Sequence, residues 1–450
     1  MTQREVRWTA DQVLALAPGP ASRTAGSRLG TAGPWSGTGS SGEGTVWGLC
    51  EGGGSTPYRT VVDVADASGP AYHCSCPSRE APCEHALGLL LLWAGGDGAV
   101  PQGEAPQWAG RWIADRRTHA ERKLTAGPSG PSGSAGPEAA RRRAERRAER
   151  VTAGAVELEQ RLADLLRGGL AAAEQSGYGL WEETAARMVD AQAPGLAARV
   201  RELGTFAGTG PGGPVRLLEE CALLHLLGRG WLRRERLPED LAATVRSRIG
   251  LPAPADGPAV RDRWLVLAQY DTADSRLTTR RVWLYGTDSG RTALLLSYGA
   301  AGRAPELALP VGLVLDAELS AYPGAGQPRM ALGERFAPPA PTDARPPGTT
   351  TARAAARYGE ALRDDPWLDS VPVTLDRVIP APGGDGWQLA DADEDAALPL
   401  TSAARSRPGL WRLVALSGGA PVRVFGECGH QGFTPLAAWP EGAGEVVPLC

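Results

Sequence analysis

The sequence has almost no lysine: Lys123 is the only one, so basic charge is nearly all arginine. With a single lysine the chain holds no G-x-x-x-x-G-K-[ST] loop, which removes that phosphate-cradling class of nucleotide site. Long apolar runs are also missing. The longest, residues 87–94, covers eight residues, whereas crossing a bilayer takes about twenty. The amino-terminal MTQREVRWTADQ has neither a positive n-region nor an apolar h-region. No secretory signal is read there, and a soluble, cytoplasmic protein without membrane contact is expected. Nothing repeats at a period of 20–50 residues, which excludes solenoid and propeller arrays. With five histidines, no serine–histidine–acid arrangement can be nominated.

What is present is an ordinary globular composition, 42% hydrophobic and 22% charged. At 450 residues the chain has room for roughly two to four domains. Gly 59 and Pro 38 are both high, and the Ala/Gly/Pro/Arg bias points to a GC-rich bacterial genome. Net charge is −4, so any nucleic-acid role needs a local basic patch. Seven cysteines is an odd count, and in a reducing compartment clustered thiols bind metal more often than they pair.

The pattern along the chain predicts an α+β multidomain protein. Residues 1–113 form one unit, with a helix over Ala10–Ala17, a Gly/Ser-rich passage around Trp35-Ser-Gly, and strands at Thr45–Cys50 and Tyr58–Val64. A cysteine cluster and an apolar helix over Ala86–Trp93 close it. Residues 114–150 are expected to be a flexible basic linker, built on TAGPSGPSGSAGP (125–137) and the arginine run behind it. From 151 to 250 the pattern turns helical: Val151, Ala155, Leu158, Leu162 and Leu165 make one apolar stripe. Further helices fit Glu182–Ala191, Leu196–Leu203, Val215–Leu227 and Glu239–Ile249. Residues 259–336 read as β-rich, with three successive strands and a hairpin turn at 286–290. After a Pro-rich connector, 351–450 is an α+β region with a helix over Ala352–Leu362 and strands through Trp387, Trp411 and Val422–Phe425.

The chemistry concentrates in YHCSCPSREAPCEHALGLLLLW, residues 72–93. Zinc takes four Cys or His ligands in a tetrahedron at structural sites. Residues i and i+2 of a strand share a face, so Cys74 and Cys76 can aim two sulfurs at one point. On a helix the same spacing diverges. Cys83 therefore belongs in the turn before the helix and His85 in or just before its first turn, where the helix's positive end favours an anionic cluster. A Cys74–Cys76 disulfide would close a small strained ring, and four protein ligands leave no open position for catalysis. The expectation is a ββα-like zinc knuckle holding one structural Zn²⁺ on Cys74, Cys76, Cys83 and His85.

This C-x-C-x(6)-C-x-H pattern with its apolar helix resembles the SWIM zinc finger, and all four ligand positions match. The motif covers residues 72–93. Chain length and layout, with WSG (35–37), YHCSCPSR (72–79) and ARMVDAQAPGLAARV (186–200), are similar to bacterial stand-alone SWIM finger proteins. The resemblance implies zinc binding by those four residues and contacts to DNA or protein; it implies no reaction. It also implies association with AAA+ ATPases or von Willebrand A-type proteins, beside which such proteins are often encoded.

Charge separates the two kinds of partner. Residues 1–113 carry seven basic and ten acidic side chains, a poor start for phosphate binding, so protein recognition is expected first. The alternative is DNA binding through the finger plus Arg141, Arg142, Arg143, Arg146, Arg147 and Arg150. Against it, Glu145 and Glu149 are spaced to pair with those arginines along a helix.

Other patterns read as structural. Gly37-Thr-Gly39-Ser-Ser-Gly42 spells G-x-G-x-x-G but stands before a strand, not between a strand and a helix. Cys428-Gly-His430 lacks partners, and Cys221 and His225 lie among leucines as core residues. Asp391, Asp393, Glu394 and Asp395 read as an acidic surface loop without the glycine and distal glutamate of a calcium loop. No enzyme activity is expected. A concealed one would show in 151–450 as a cleft of converging carboxylates with a shifted pKa.

Overall fold

The computed structural model describes residues 8–41, 44–52, 56–64, 70–78, 80–96, 98–125, 137–170, 177–206, 212–251, 253–273, 277–300, 305, 307–324, 328–384, 386–440 and 446–450. Among these it is a mixture of helix and sheet, with twelve α-helices and three sheets.

Near the N-terminus, short helices α1 (Ala10–Leu14) and α2 (Pro20–Arg28) lead into four strands. These are β1 (Trp35–Ser40), β2 (Thr45–Cys50), β3 (Tyr58–Asp63) and β4 (Ala71–Cys74), an antiparallel meander in the order β1-β2-β3-β4. Helix α3 (Glu84–Ala94) lies on one face of the sheet and α4 (Gln107–Thr125) on the other. Strand alternation sorts the side chains: Val46, Cys50 and Val62 go to the α3 side, Trp47 and Val61 to the α4 side. Helix α3 is apolar almost all round and buries eight of its residues. It approaches α2 closely because Gly26 and Gly88 face Leu87 and Leu29, where an added Cβ would come within 2.7 Å and 2.5 Å.

The Gly/Ser-rich passage expected around Trp35 is strand β1. Glycine suits it there, since a Cβ on Gly39 would sit 2.8 Å from the Trp47 indole, and Gly37 takes φ +56 at an irregularity in the pairing. The unit is thus a four-stranded sheet where a two-stranded knuckle was expected.

The linker reading of 114–150 needs correction. Residues 114–125 belong to α4, and 137–150 open the 32-residue helix α5 (Pro137–Gly168); residues 126–136 lie outside the described residues. The arginine-rich stretch is helical because Ala, Glu and Arg are good helix formers and alternate in sign at i,i+4. The apolar stripe that begins at Val151 marks where this helix becomes buried, not where it starts.

Helices α6 (Gly177–Asp190), α7 (Pro194–Phe206), α8 (Gly213–Leu232) and α9 (Glu239–Ile249) pack with α5 around one core. It includes Val151, Ala155, Leu158, Leu162, Trp181, Met188, Val200, Leu224 and Trp231.

The remainder is two six-stranded sheets. The first holds β5 (Val260–Ala273), β6 (Leu277–Gly286), β7 (Thr292–Ala300), β8 (Leu313–Ala321), β9 (Met330–Arg335) and β10 (Ala340–Pro341). The second holds β11 (Ser370–Gly383), β12 (Gly386–Asp391), β13 (Ala397–Pro399), β14 (Val422–Gly429), β15 (Gly432–Trp439) and β16 (Val447–Pro448). They share a core in which Leu265, Leu267 and Trp283 meet Phe425, Leu436 and Trp439. Helix α10 (Thr351–Ala361) is capped by Thr350, whose side chain accepts from Arg353 N. Trp411 is on a helix, α12 (Gly409–Ser417), and not on a strand, because Leu410 and Leu413 recur at helical spacing and are buried; α11 (Ser402–Arg405) precedes it.

Candidate metal centre

Each donor in the cluster is placed by a different piece of local structure. Cys74 ends β4 and pairs with Thr60 on β3, whose Oγ1 lies 3.2 Å from the Cys74 Sγ. Past the strand the chain stays beside β3, since Ser75 N donates to Arg59 O at 3.1 Å and Arg59 N to Ser75 Oγ at 2.9 Å. That tether keeps Cys76 near Cys74. Cys83 is the N-cap of α3, with φ −76 and ψ 170, and His85 is the helix's second residue. The spacing predicts both cysteines on one strand; Cys76 instead lies two residues past the end of β4, held there by that tether, while Cys83 precedes the helix and His85 is in its first turn.

The four ligand atoms lie within 4.8 Å of one another. Cys83 and His85 are buried, while Cys74 and Cys76 are half-buried. The His85 Nδ1 is buried without a hydrogen-bond partner, 3.7 Å from the Glu84 carboxylate, and the Tyr58 ring covers the imidazole at a centroid distance of 4.8 Å. A buried imidazole with one nitrogen unpartnered, grouped with three thiols, is what a ligand set provides before its ion is counted. The donors fit a metal of N/S preference.

Their proton affinities express the crowding. The Cys74 thiol is pulled down to about 3, chiefly because Cys83 donates to it, with help from His85 and Thr60 against the cost of burial. Cys83 is pushed far up by that same donation and then by burial. Burial pushes Cys76 up, and the bond to Cys74 raises His85.

The comparisons with known proteins bear on the neighbouring bundle. Residues 146–249 match the model of the SWIM-associated four-helix bundle domain. Cluster and bundle together fit a SWIM-type zinc finger protein. No curated protein and no solved structure matches the chain.

Thr60 and Tyr58 are the contacts to the cluster that the motif alone does not name. Their signal in sequence is the strand YRTVVDV, whose every second residue faces α3. The arginines of the alternative reading lie about the start of α5. Arg141 pairs with Glu145 at 3.0 Å and Arg142 with Glu138 at 2.7 Å, both exposed. Arg147 donates to Gly250 O and Arg150 to Gln192, which ties the helix to the bundle; Arg146 donates to Arg142 O, and Arg143 is exposed.

The lesser candidates separate as well. Gly37 and Gly39 of the G-x-G-x-x-G pattern lie on β1 in an antiparallel meander; Gly42 lies outside the described residues. Cys221 is in the bundle core, but His225 is corrected: it is exposed on α8 and paired with Glu159 at 2.7 Å. Cys428 is buried, and His430 turns outward to Arg216 at 2.8 Å and Tyr358 at 3.4 Å. Asp391 accepts from Thr351 N and Oγ1 at the start of α10, and Asp393 pairs with Arg377 at 2.7 Å.

Carboxylates converge between α7, α8 and the β14–β15 turn, in a cleft of about 290 Å³ that includes Glu202, Glu220 and Asp369. Burial pushes the Glu202 carboxyl above its usual range. Arg199 lies within 4.0 Å of all three, and Arg216 is 2.7 Å from Glu220. The group forms an ion-pair network joining the bundle to the C-terminal sheet.

Proposed function

We propose that Cys74, Cys76, Cys83 and His85 hold one structural zinc ion, and that the protein is a non-enzymatic scaffold for a protein partner. The convergence of four N/S donors within 4.8 Å at the start of a buried helix carries the metal reading. Three sulfurs and one imidazole favour zinc over harder cations, and a full set of protein donors leaves no open coordination position on the ion. When bound, the ion would supply cross-linking: it would pin β4 to α3 across the turn that joins them.

The scaffold reading rests on charge. Residues 1–113 carry more acidic than basic side chains, so the finger offers little to a phosphate backbone. By its resemblance to stand-alone SWIM proteins, the partner would be an AAA+ ATPase or a von Willebrand A-type protein in the cytoplasm. DNA binding is the second reading, supported by exposed Arg141, Arg142, Arg143 and Arg146. Affinity capture of the tagged chain from native cells tests the first reading; recovery of an ATPase in stoichiometric amount supports it. DNA affinity that falls steeply with salt and drops on neutralising Arg141–Arg150 would replace it with the second.

A further inference from the structure

Among the described residues ten large apolar side chains are exposed, and five of them lie on two neighbouring helices of the bundle: Val156 and Leu166 on α5, and Val215, Leu218 and Leu226 on α8. Scattered exposed apolar residues are ordinary, whereas a concentration on one face marks an interface. Helix α8 is apolar on two sides. Leu217, Cys221, Leu224 and Trp231 enter the bundle core. Val215, Leu218, Ala222 and Leu226, at steps of three, four and four, make a second stripe whose large side chains are 45–63% exposed. A helix with apolar residues on all sides is normally covered on all of them.

The two helices run antiparallel, since Trp231 Nε1 donates to Thr152 Oγ1 at 3.0 Å and His225 pairs with Glu159 at 2.7 Å. Leu166 is seven residues past Glu159 and Leu218 seven before His225, so about two helical turns carry both to the same level. Val156, three residues before Glu159, shares that face of α5. The stripes thus border one groove, with the His225–Glu159 pair between them. Its charge is one-sided. Beyond Leu226 the α8 stripe continues onto Arg229 and Arg233, both exposed and without an ion pair to any described residue. Near the other end, Arg216 is held by Glu219 and Glu220.

We infer that the α5–α8 groove docks an amphipathic helix of a partner protein, with its apolar stripe on Leu166, Leu218 and Leu226 and acidic residues over Arg229 and Arg233. Helix-in-groove recognition uses anchors at this spacing. The charges disfavour a second copy of this chain as the occupant. Its α8 laid parallel would set arginine against arginine, and laid antiparallel would set Arg229 and Arg233 against the apolar Val215 end. The inference rests on the scaffold reading and assigns the partner's contact to the bundle.

The probe is a fluorescein-labelled, alanine-based helical peptide with leucine at i, i+3, i+7 and i+11 and glutamates at one end, titrated into the full chain by anisotropy. Saturable one-to-one binding that weakens with salt is expected. Leu218→Glu with Leu226→Glu removes the central anchors and should weaken binding more than about tenfold while the helical circular dichroism is kept. Arg229→Glu with Arg233→Glu should weaken it about two- to tenfold and favour the same peptide with lysines in place of glutamates. Ala222→Arg, a good helix former at an exposed position, blocks the groove if the leucine variant does not fold. Absence of saturation, equal binding by a peptide of the same composition with its leucines scattered, or a folded groove variant that binds like the parent overturns the inference. A parent chain that sediments as a dimer, and as a monomer with Leu218→Glu, also overturns it by making a second copy the occupant. None of these results alters capture of a cellular partner by the parent chain, which tests the scaffold reading separately.

Discussion

The chain spells Cys-x-His twice, at 83–85 and at 428–430, and the two pairs have opposite fates. Cys83 and His85 straddle the start of α3, where the N-cap thiol and the first-turn imidazole meet two sulfurs from the end of β4. Cys428 is on β14 and packs inward among Val373, Leu375 and Phe433, whereas His430 stands in the turn before β15 and faces Arg216. Spacing is the same in both. What differs is whether the surrounding fold brings further donors to the same point. In the first pair a strand end and a helix start converge; in the second a hairpin separates the two side chains.

The contrast is sharpest under substitution. Cys83→Ser should remove the metal and the cooperative folding of the finger, because apparent zinc binding energies in comparable peptides are about 10–16 kcal/mol at neutral pH. Far-UV circular dichroism should show the α5–α9 helices surviving, since their core contains none of the four donors. Survival of the finger's unfolding transition in that variant would dissolve the contrast. A second large effect lies away from the metal. Asp365, 3% exposed at its side chain, takes both Arg248 Nε and Nη2 and also accepts from Trp367 N. Asp365→Ala should cost about 3–5 kcal/mol by urea unfolding, unchanged by chelator.

Acidity should act on the first pair through metal affinity. Cys76 and Cys83 hold their protons more tightly than an ordinary thiol, His85 is also raised, and Cys74 is already ionised at neutral pH. Binding a dication must therefore displace protons from Cys76 and Cys83. Affinity then rises with pH, by about two orders of magnitude per unit above the range in which His85 titrates and more steeply below it, as chelator competition at stepped pH would measure. A flat profile would mean that these thiols are not ligands. At the second pair, Cys428→Ser should cost about 1–3 kcal/mol for a buried hydroxyl and leave metal content unchanged. The smallest effect belongs to Arg141→Gln with Arg142→Gln, under about 0.5 kcal/mol per exposed pair in thermal unfolding.

How much of this was readable in the sequence follows from where the determining contacts lie. The metal cluster is local: four donors within twelve residues, with an apolar helix directly behind, so spacing and periodicity could place each one. The stripe from Val151 to Leu162 was equally visible because burial repeats with the helix period. Three features were not legible. The N-terminal half of α5 has no buried stripe to announce it, only good helix formers with paired charges. Strand β1 is disguised by glycines whose reason is the Trp47 ring on the next strand. The exposure of His225 depends on Glu159, sixty-six positions earlier in the chain, a pairing no local pattern encodes.

The most direct test of the central claim is the elemental composition of the full chain, purified under reducing conditions without added metal. One zinc ion per chain is expected. Metal-free protein with the finger still folded, or one equivalent of some other element, would contradict the account.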